Sequence, residues 1–220
     1  MSLFCFDLDG TIFNSIEGIT VSLNFALKKN NLKTISEKNL SQFIGPPLLS
    51  YIDKITKEEL SLNIKNKIIE DFRAHHDLIG FKFYNLYPDV YKILKQIREE
   101  NKLFVVTNKP YKVTENSLKH FKLFNFFDDI YTSNKSTDNL KKWSKGLVRN
   151  KSNYLLELDK LHPNFDKYYI GDTESDFKST FENSFEFIYA SYGYGKKFNN
   201  EKIKYKLQRF NDICKINFIL

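Results

Sequence analysis

Apolar and polar positions along the chain follow two periods. The first apolar run, Phe4-Cys5-Phe6, has strand length and stops at Asp7-Leu8-Asp9-Gly10-Thr11. From Ile16 to Lys29 the apolar residues Ile16, Ile19, Val21, Leu23, Phe25 and Leu27 follow a mainly helical period, closed by Asn30-Asn31. Ser36 to Phe43 reads as a short helix with Ser36 as N-cap. Ile44-Gly45-Pro46-Pro47-Leu48 reads as a loop, because glycine and paired prolines break regular structure. Leu48 to Ile55 and Lys57 to Ile79 carry further helical periodicity, and no strand is predicted between Asn14 and Gly80.

Past Phe83-Tyr84 the pattern changes. Tyr87-Pro88-Asp89 opens a helix carrying Val90, Ile93, Leu94 and Ile97, and Leu103 to Val106 is a buried strand ending at Thr107-Asn108-Lys109-Pro110. A helix from Val113 to Phe121, a strand from Ile130 to Ser133, a helix from Asn150 to Leu161 and a strand from Lys167 to Ile170 follow, the last ending at Gly171-Asp172. A helix over Asp176 to Asn183 then leads to a strand over Phe185 to Ala190. Strands alternating with helices predict an α/β protein with a parallel sheet and right-handed crossovers. The helical segment 14–83 interrupts that series after its first strand.

Composition narrows the picture. A chain of 220 residues with 41% hydrophobic and 16% aromatic residues can bury a sizeable core, much of it Phe (21) and Tyr (13). Lys and Arg exceed Asp and Glu by 34 − 27 = 7, which favours anionic partners. The densest basic stretch, Lys141-Lys142-Trp143-Ser144-Lys145 with Arg149 and Lys151 after it, suits a loop beside a phosphate site better than a nucleic-acid surface. The two cysteines, Cys5 and Cys214, imply no disulfide framework and fit a reducing cytoplasm. With a core strand at the very start and no apolar run of membrane-spanning length, neither a signal peptide nor a membrane partner is expected.

The candidate chemistry lies where strands end. Asp7 and Asp9 fall at the C-terminal tip of the first strand, the edge at which open α/β sheets bind ligands. Two carboxylates so close repel unless a cation or a shared proton intervenes. With Mg²⁺ bound, Asp7 stays ionised and can serve as nucleophile or ligand, leaving Asp9 to donate and accept a proton. Thr107 with Asn108, Lys151, and Asp172 with Asp176 fall at the ends of later strands or in the loops beside them. Each alone reads as an ordinary strand end or turn. Together on one sheet edge they answer no need of the fold.

At these residues the chain resembles the haloacid dehalogenase-like superfamily, in particular its phosphoglycolate phosphatase-like members. Phe6-Asp7-Leu8-Asp9-Gly10-Thr11-Ile12-Phe13-Asn14-Ser15, Val105-Val106-Thr107-Asn108-Lys109 and Ile170-Gly171-Asp172-Thr173-Glu174-Ser175-Asp176 carry the resemblance, which spans nearly the whole chain. It implies a Rossmann-like parallel-sheet core over 1–13 and 84–220 with a small all-helical cap over 14–83. It further implies a phosphatase that cleaves a small phosphorylated metabolite through an aspartyl-phosphate on Asp7, with Asp9 as acid and base. Mg²⁺ would be held by the Asp7 side chain, the Asp9 backbone carbonyl and Asp172, with Asp176 supporting it, and Thr107 would bind the transferring phosphoryl group. Asn108 and the Gly45-Pro46 loop of the cap would face the substrate. A phosphate-site lysine is expected some twenty-odd residues before Gly171. Lys151, at a helix start, is preferred over Lys145; if neither reaches the site, Lys109 or a basic group from the cap must take the part.

Phosphoglycolate, a sugar phosphate and a nucleotide monophosphate all fit this expectation, as do a monomer and a homodimer. The rivals are a phosphosugar mutase on the same scaffold and a non-catalytic binding protein. His75-His76 is expected to be structural, since adjacent helical residues point about 100° apart and make a poor metal site.

Overall fold

The computed structural model describes residues 1–43, 48–132, 150–195 and 197–216. Six parallel strands form one sheet: β1 (Ser2–Phe6), β4 (Lys102–Thr107), β5 (Asp129–Thr132), β6 (Asp166–Gly171), β7 (Glu186–Ala190) and β8 (Tyr205–Leu207). Their order is β5-β4-β1-β6-β7-β8, so β1 sits at the centre with β4 on one side and β6 on the other. Chain order reverses at β1: the strands after it go first to one side and then to the other. Ligands bind at such a switch point.

Helices cover both faces, so β1 is buried along its whole length. Side chains alternate across the strand. Phe4 and Phe6 face a large core that includes Val90, Ile93 and Ile97 of α5 (Val90–Ile97), Val113 and Leu118 of α6 (Tyr111–His120), and Phe210 and Ile213 of a C-terminal helical turn. Leu3 and Cys5 face the opposite core with Tyr154, Leu155 and Leu158 of α7 (Lys151–Leu161) and Phe177 of α8 (Glu174–Lys178). Each such aliphatic or aromatic side chain contributes about 1.5–3 kcal/mol when fully buried. No described helix is long and apolar enough to cross a membrane.

The helical segment leaves and re-enters this core through one narrow crossing. β2 (Phe13–Asn14) pairs antiparallel with β3 (Asn85–Leu86), Phe13 opposite Leu86 and Asn14 opposite Asn85. Between them, α1 (Ile16–Lys29), α2 (Glu37–Leu40), α3 (Ile52–Thr56) and α4 (Leu62–Leu78) gather a separate apolar cluster around Leu23, Leu27, Leu40, Ile52 and Ile68. Ser36 caps α2, its Oγ accepting from the Asn39 N–H at 3.4 Å.

Several elements differ from the sequence expectation. The helix predicted over Lys57 to Ile79 starts only at Leu62, because Lys57 takes a left-handed backbone (φ 59°) that ends α3 and Ser61 caps α4. The helix predicted over Asp176 to Asn183 runs instead over Glu174–Lys178, started by the Thr173–Asp176 capping box. The two-residue ribbon and β8 were not predicted. Neither is long enough to show an alternating pattern, and both owe their pairing to neighbours far away in sequence.

Candidate active site

β1 ends where its ladder does. The Asp7 N–H makes one further bond, to the Ile170 carbonyl at 2.9 Å, and the chain then turns away. The Leu8 carbonyl gathers three N–H groups, from Thr11 (3.1 Å), Ile12 (2.9 Å) and Phe13 (2.9 Å), which folds residues 8–13 into a tight loop. Gly10 makes the loop possible: its φ is +84°, and a Cβ there would lie 2.1 Å from Asp172 Oδ2. The Asp-Gly pair of the sequence thus brings the ends of β1 and β6 into contact.

Four charged side chains converge at these two strand ends, all buried: Asp7, Asp172, Asp176 and Lys151. Carboxylate oxygens of the three acids lie within 4.8 Å of one another. Lys151 is the first residue of α7, whose N-cap Asn150 exchanges side-chain and backbone hydrogen bonds with Asn153. Its Nζ donates to Asp176 Oδ1 at 2.5 Å and lies 3.1 Å from Asp7 Oδ1. Lys145 falls outside the described residues, as do Gly45 and Pro46.

Asp176 is fully engaged. Besides Lys151 it accepts from the Tyr169 hydroxyl (3.0 Å), the Thr173 N–H (3.0 Å) and the Thr173 hydroxyl (2.6 Å). It anchors Lys151 beside Asp7. Asp172 is held on one oxygen only, Oδ2, which accepts from the Gly195 N–H at 2.8 Å. The loop after β7 must come close to do this. A Cβ on Gly193 would meet Asp172 Cβ and the Gly10 carbonyl oxygen, both at 2.4 Å. Asp172 Oδ1 is buried with no hydrogen-bond partner, and Asp7 Oδ1 is buried with the Lys151 ammonium 3.1 Å away as its ion-pair partner.

The electrostatics follow from this packing. Burial, with the charges of Asp176 and Asp9 behind it, outweighs Lys151 and the Thr107 hydroxyl and lifts Asp7 to about 6. Burial, then Asp176 and Asp7, pushes Asp172 well above the usual carboxylate range. Burial alone would raise Asp176, but Lys151 and the Thr173 bonds overcome it and hold Asp176 low. Burial alone would lower Lys151, yet Asp176 and Asp7 raise it, so it stays charged. One ammonium cannot compensate three carboxylates. The orphaned Asp172 Oδ1 and the neighbouring Asp7 carboxylate, on the two acids that resist ionisation, are a fit site for a hard divalent cation, which prefers oxygen ligands.

Asp9 stands apart from that cluster. Both of its oxygens lie 2.7 Å from Lys109 Nζ. Burial would raise its pKa, but Lys109, with Ser15, holds it below the ordinary value. Lys109 in turn lies over the Tyr84 ring, 4.6 Å from its centroid, and the Tyr84 hydroxyl meets His76 Nε2 at 2.6 Å. Thr107 is buried at the tip of β4, where its hydroxyl accepts from the Lys109 N–H at 3.3 Å and helps to lower the pKa of Asp7, whereas Asn108 beside it is exposed. The His75-His76 pair is divided: His75 Nδ1 meets Ser22 Oγ at 3.1 Å, and His76 is buried against Tyr84, its pKa lowered to about 3 chiefly by burial.

Sequence reasoning missed Lys109 as the partner of Asp9 and Tyr84 beneath it; it set the glycines of the loop after β7 near the active edge but not the Gly195 N–H on Asp172. Lys109 alone carried a usable signal, its place directly after Thr107-Asn108.

Known proteins resemble this chain over most of its length. The chain is 27% identical to a phosphoglycolate phosphatase of Aquifex aeolicus, over 98% of this chain and 96% of that protein. It is 29% identical to a 5'-nucleotidase of Pseudomonas aeruginosa, over 87% of this chain and 83% of that protein. A crystal structure of a predicted phosphatase from Clostridium acetobutylicum superposes with a TM-score of 0.76 at 25% identity, covering 100% of this chain and 99% of that one. Residues 4–190 match the model of the haloacid dehalogenase-like hydrolases. With its parallel sheet, its interrupting helices and its cluster of acids at the tip of β1, the chain is an enzyme of that hydrolase family.

Proposed function

We propose that this hydrolase is a Mg²⁺-dependent phosphatase that cleaves a small phosphorylated metabolite through an aspartyl-phosphate on Asp7. The observation that carries the reading is Asp7 itself. It is a buried carboxylate at the central strand tip, set beside Lys151, Thr107 and Asp172. Asp7, Asp172 and the backbone carbonyl of Asp9 would hold the metal, whose charge would offset the carboxylates and the phosphoryl oxygens.

In the first step an Asp7 oxygen attacks phosphorus, the bond to the leaving oxygen breaks, and Asp9 gives that oxygen a proton. In the second, Asp9 takes a proton from water, whose oxygen attacks the phosphorus of the aspartyl-phosphate. Inorganic phosphate leaves and Asp7 is restored. Lys151 and the Thr107 hydroxyl bind phosphoryl oxygens as charge spreads over them. Splitting one hydrolysis into two displacements lets the same carboxylate act as acid and then base. Segment 14–83 is read as a cap that covers the cleft and excludes water, with the β2–β3 ribbon as its crossing. The relatives' names point to phosphoglycolate or a nucleotide monophosphate as substrate, and the two free cysteines suit a reducing cytoplasm.

The test is turnover of p-nitrophenyl phosphate and of a panel of phosphorylated metabolites with and without Mg²⁺. Mg²⁺-dependent release of inorganic phosphate, with labelled phosphate trapped on Asp7 after acid quench, is expected. Absence of turnover across the panel, or label on another residue, overturns the reading. Sugar-phosphate interconversion without net phosphate release would make it a mutase.

A further inference from the structure

The pairing of Asp9 imposes a condition on the substrate. Lys109 Nζ sits at 2.7 Å from both oxygens of Asp9, a two-point hold that fixes the orientation of the carboxylate. The Lys109 side chain is 3% exposed, and Asp9 is the one carboxylate recorded within ion-pair distance of it among the described residues. Beneath the ammonium lies the Tyr84 ring, fixed in place by the hydroxyl contact to buried His76. That ring is a rigid platform over which the ammonium can shift without losing its aromatic contact.

Two demands then conflict. To turn an oxygen toward a leaving group, Asp9 must give up that two-point hold. Yet an ammonium this deeply buried cannot be left without a counter-ion except at high cost. A substrate that carries its own second anion resolves the conflict, because Lys109 can pass from one carboxylate to another acceptor without ever being unpaired. We propose that Lys109 exchanges partners, holding Asp9 in the empty site and a second anionic group of the substrate in the loaded one. Lys109 is thereby the residue that selects phosphate esters bearing a further carboxylate or phosphate near the ester oxygen. A neutral ester leaves Asp9 clamped. This inference rests on the phosphatase reading above and deepens it.

The experiment compares 2-phosphoglycolate and ethylene glycol bisphosphate with ethyl phosphate, which is neutral at the corresponding end, in the wild-type protein and in Lys109→Met. In the wild type, kcat/KM for at least one anionic ester should exceed that for ethyl phosphate by about 10–100-fold, the scale of one hydrogen bond to a charged group. Lys109→Met should lower the rate on the anionic ester and raise it on ethyl phosphate, since Asp9 is released; a merely structural lesion cannot raise either. Lys109→Arg should keep the preference. Equal kcat/KM for all three esters in the wild type, or an unchanged preference in Lys109→Met, overturns the assignment and leaves the phosphatase reading intact. Binding of the unhydrolysable 3-phosphonopropionate against propylphosphonate, measured by calorimetry with Mg²⁺, decides the matter without turnover and without a variant that must fold. A preference for the carboxylated ligand in a protein that hydrolyses no phosphate ester overturns the phosphatase reading and keeps Lys109 as the anion-binding residue. Equal affinity for the two phosphonates overturns the assignment.

Discussion

Replacing Asp7 by Asn is expected to abolish turnover and, at the same time, to stabilise the metal-free protein at neutral pH. Burial, aided by Asp176 and Asp9, raises the Asp7 carboxyl from its ordinary 3.8 to about 6. A pKa above the unfolded value means that the folded chain binds the proton more tightly than the unfolded one. Stability from this group is therefore complete below the unfolded value, is lost as pH rises from about 3.8 to about 6, and is flat above that. At about 1.4 kcal/mol per tenfold change in proton affinity, the ionised Asp7 costs about 3 kcal/mol at neutral pH. Asp172 is raised by the same burial and the same neighbours and adds a loss in the same direction.

Asparagine has the shape of the neutral carboxyl and does not ionise, and Lys151 keeps its 2.5 Å bond to Asp176 in the variant. Urea unfolding in EDTA should show Asp7→Asn more stable than wild type by about 1–3 kcal/mol near pH 7.5, with the gap closing towards pH 4 as the wild-type carboxyl protonates. Excess Mg²⁺ should restore much of that deficit to the wild type, by about 2.7 kcal/mol at one hundred times Kd, and less to the variant. A variant no more stable than wild type at neutral pH in EDTA, or a difference that does not change with pH, would refute the reasoning, because the site would then carry no stored carboxylate repulsion.

Three further outcomes follow from named contacts. Gly193→Ala places a Cβ 2.4 Å from Asp172 Cβ and from the Gly10 carbonyl oxygen. Displacement of Asp172 should weaken Mg²⁺ binding by about 10–100-fold in calorimetry, the usual cost of losing support behind a ligand, and unaltered affinity would show that the loop gives way. Asp9→Asn should bind Mg²⁺ as wild type does yet lose about 10²–10⁴ in kcat; an unchanged rate at saturating metal would remove Asp9 from the chemistry. Lys151→Met should cut turnover severely and destabilise the protein by about 3–5 kcal/mol at neutral pH, since it strips Asp7 and Asp176 of their shared cation. Thermal melts and phosphate release measure both effects, and near-wild-type turnover would transfer the phosphate site to another cation.

Much of this was legible in the chain because it is local. Phe4-Cys5-Phe6 running into Asp7, Leu103 to Val106 running into Thr107, and Tyr168 to Ile170 running into Asp172 are apolar runs stopped by polar side chains. A parallel sheet whose strands all end on one edge must bring those side chains together. The start of α7 at Lys151 was equally readable, since Asn150 and Asn153 form a cap within four residues. What depends on sequence separation was not. The ribbon of Phe13–Asn14 with Asn85–Leu86 is too short to have a period, and β8 has three residues and an exposed lysine at its centre.

Periodicity and strand-end chemistry, which act over a few residues, thus determined the sheet, its helical interruption and the acids at its edge. The tertiary structure alone decided how charge is shared there. Lys151 went to Asp176 as well as to Asp7, and Lys109 reached across 100 residues to clamp Asp9. Asp172 was left one free oxygen by a backbone N–H 23 residues away. The physical reason is that long side chains choose partners by distance and burial in the packed interior, and no spacing along the chain encodes either.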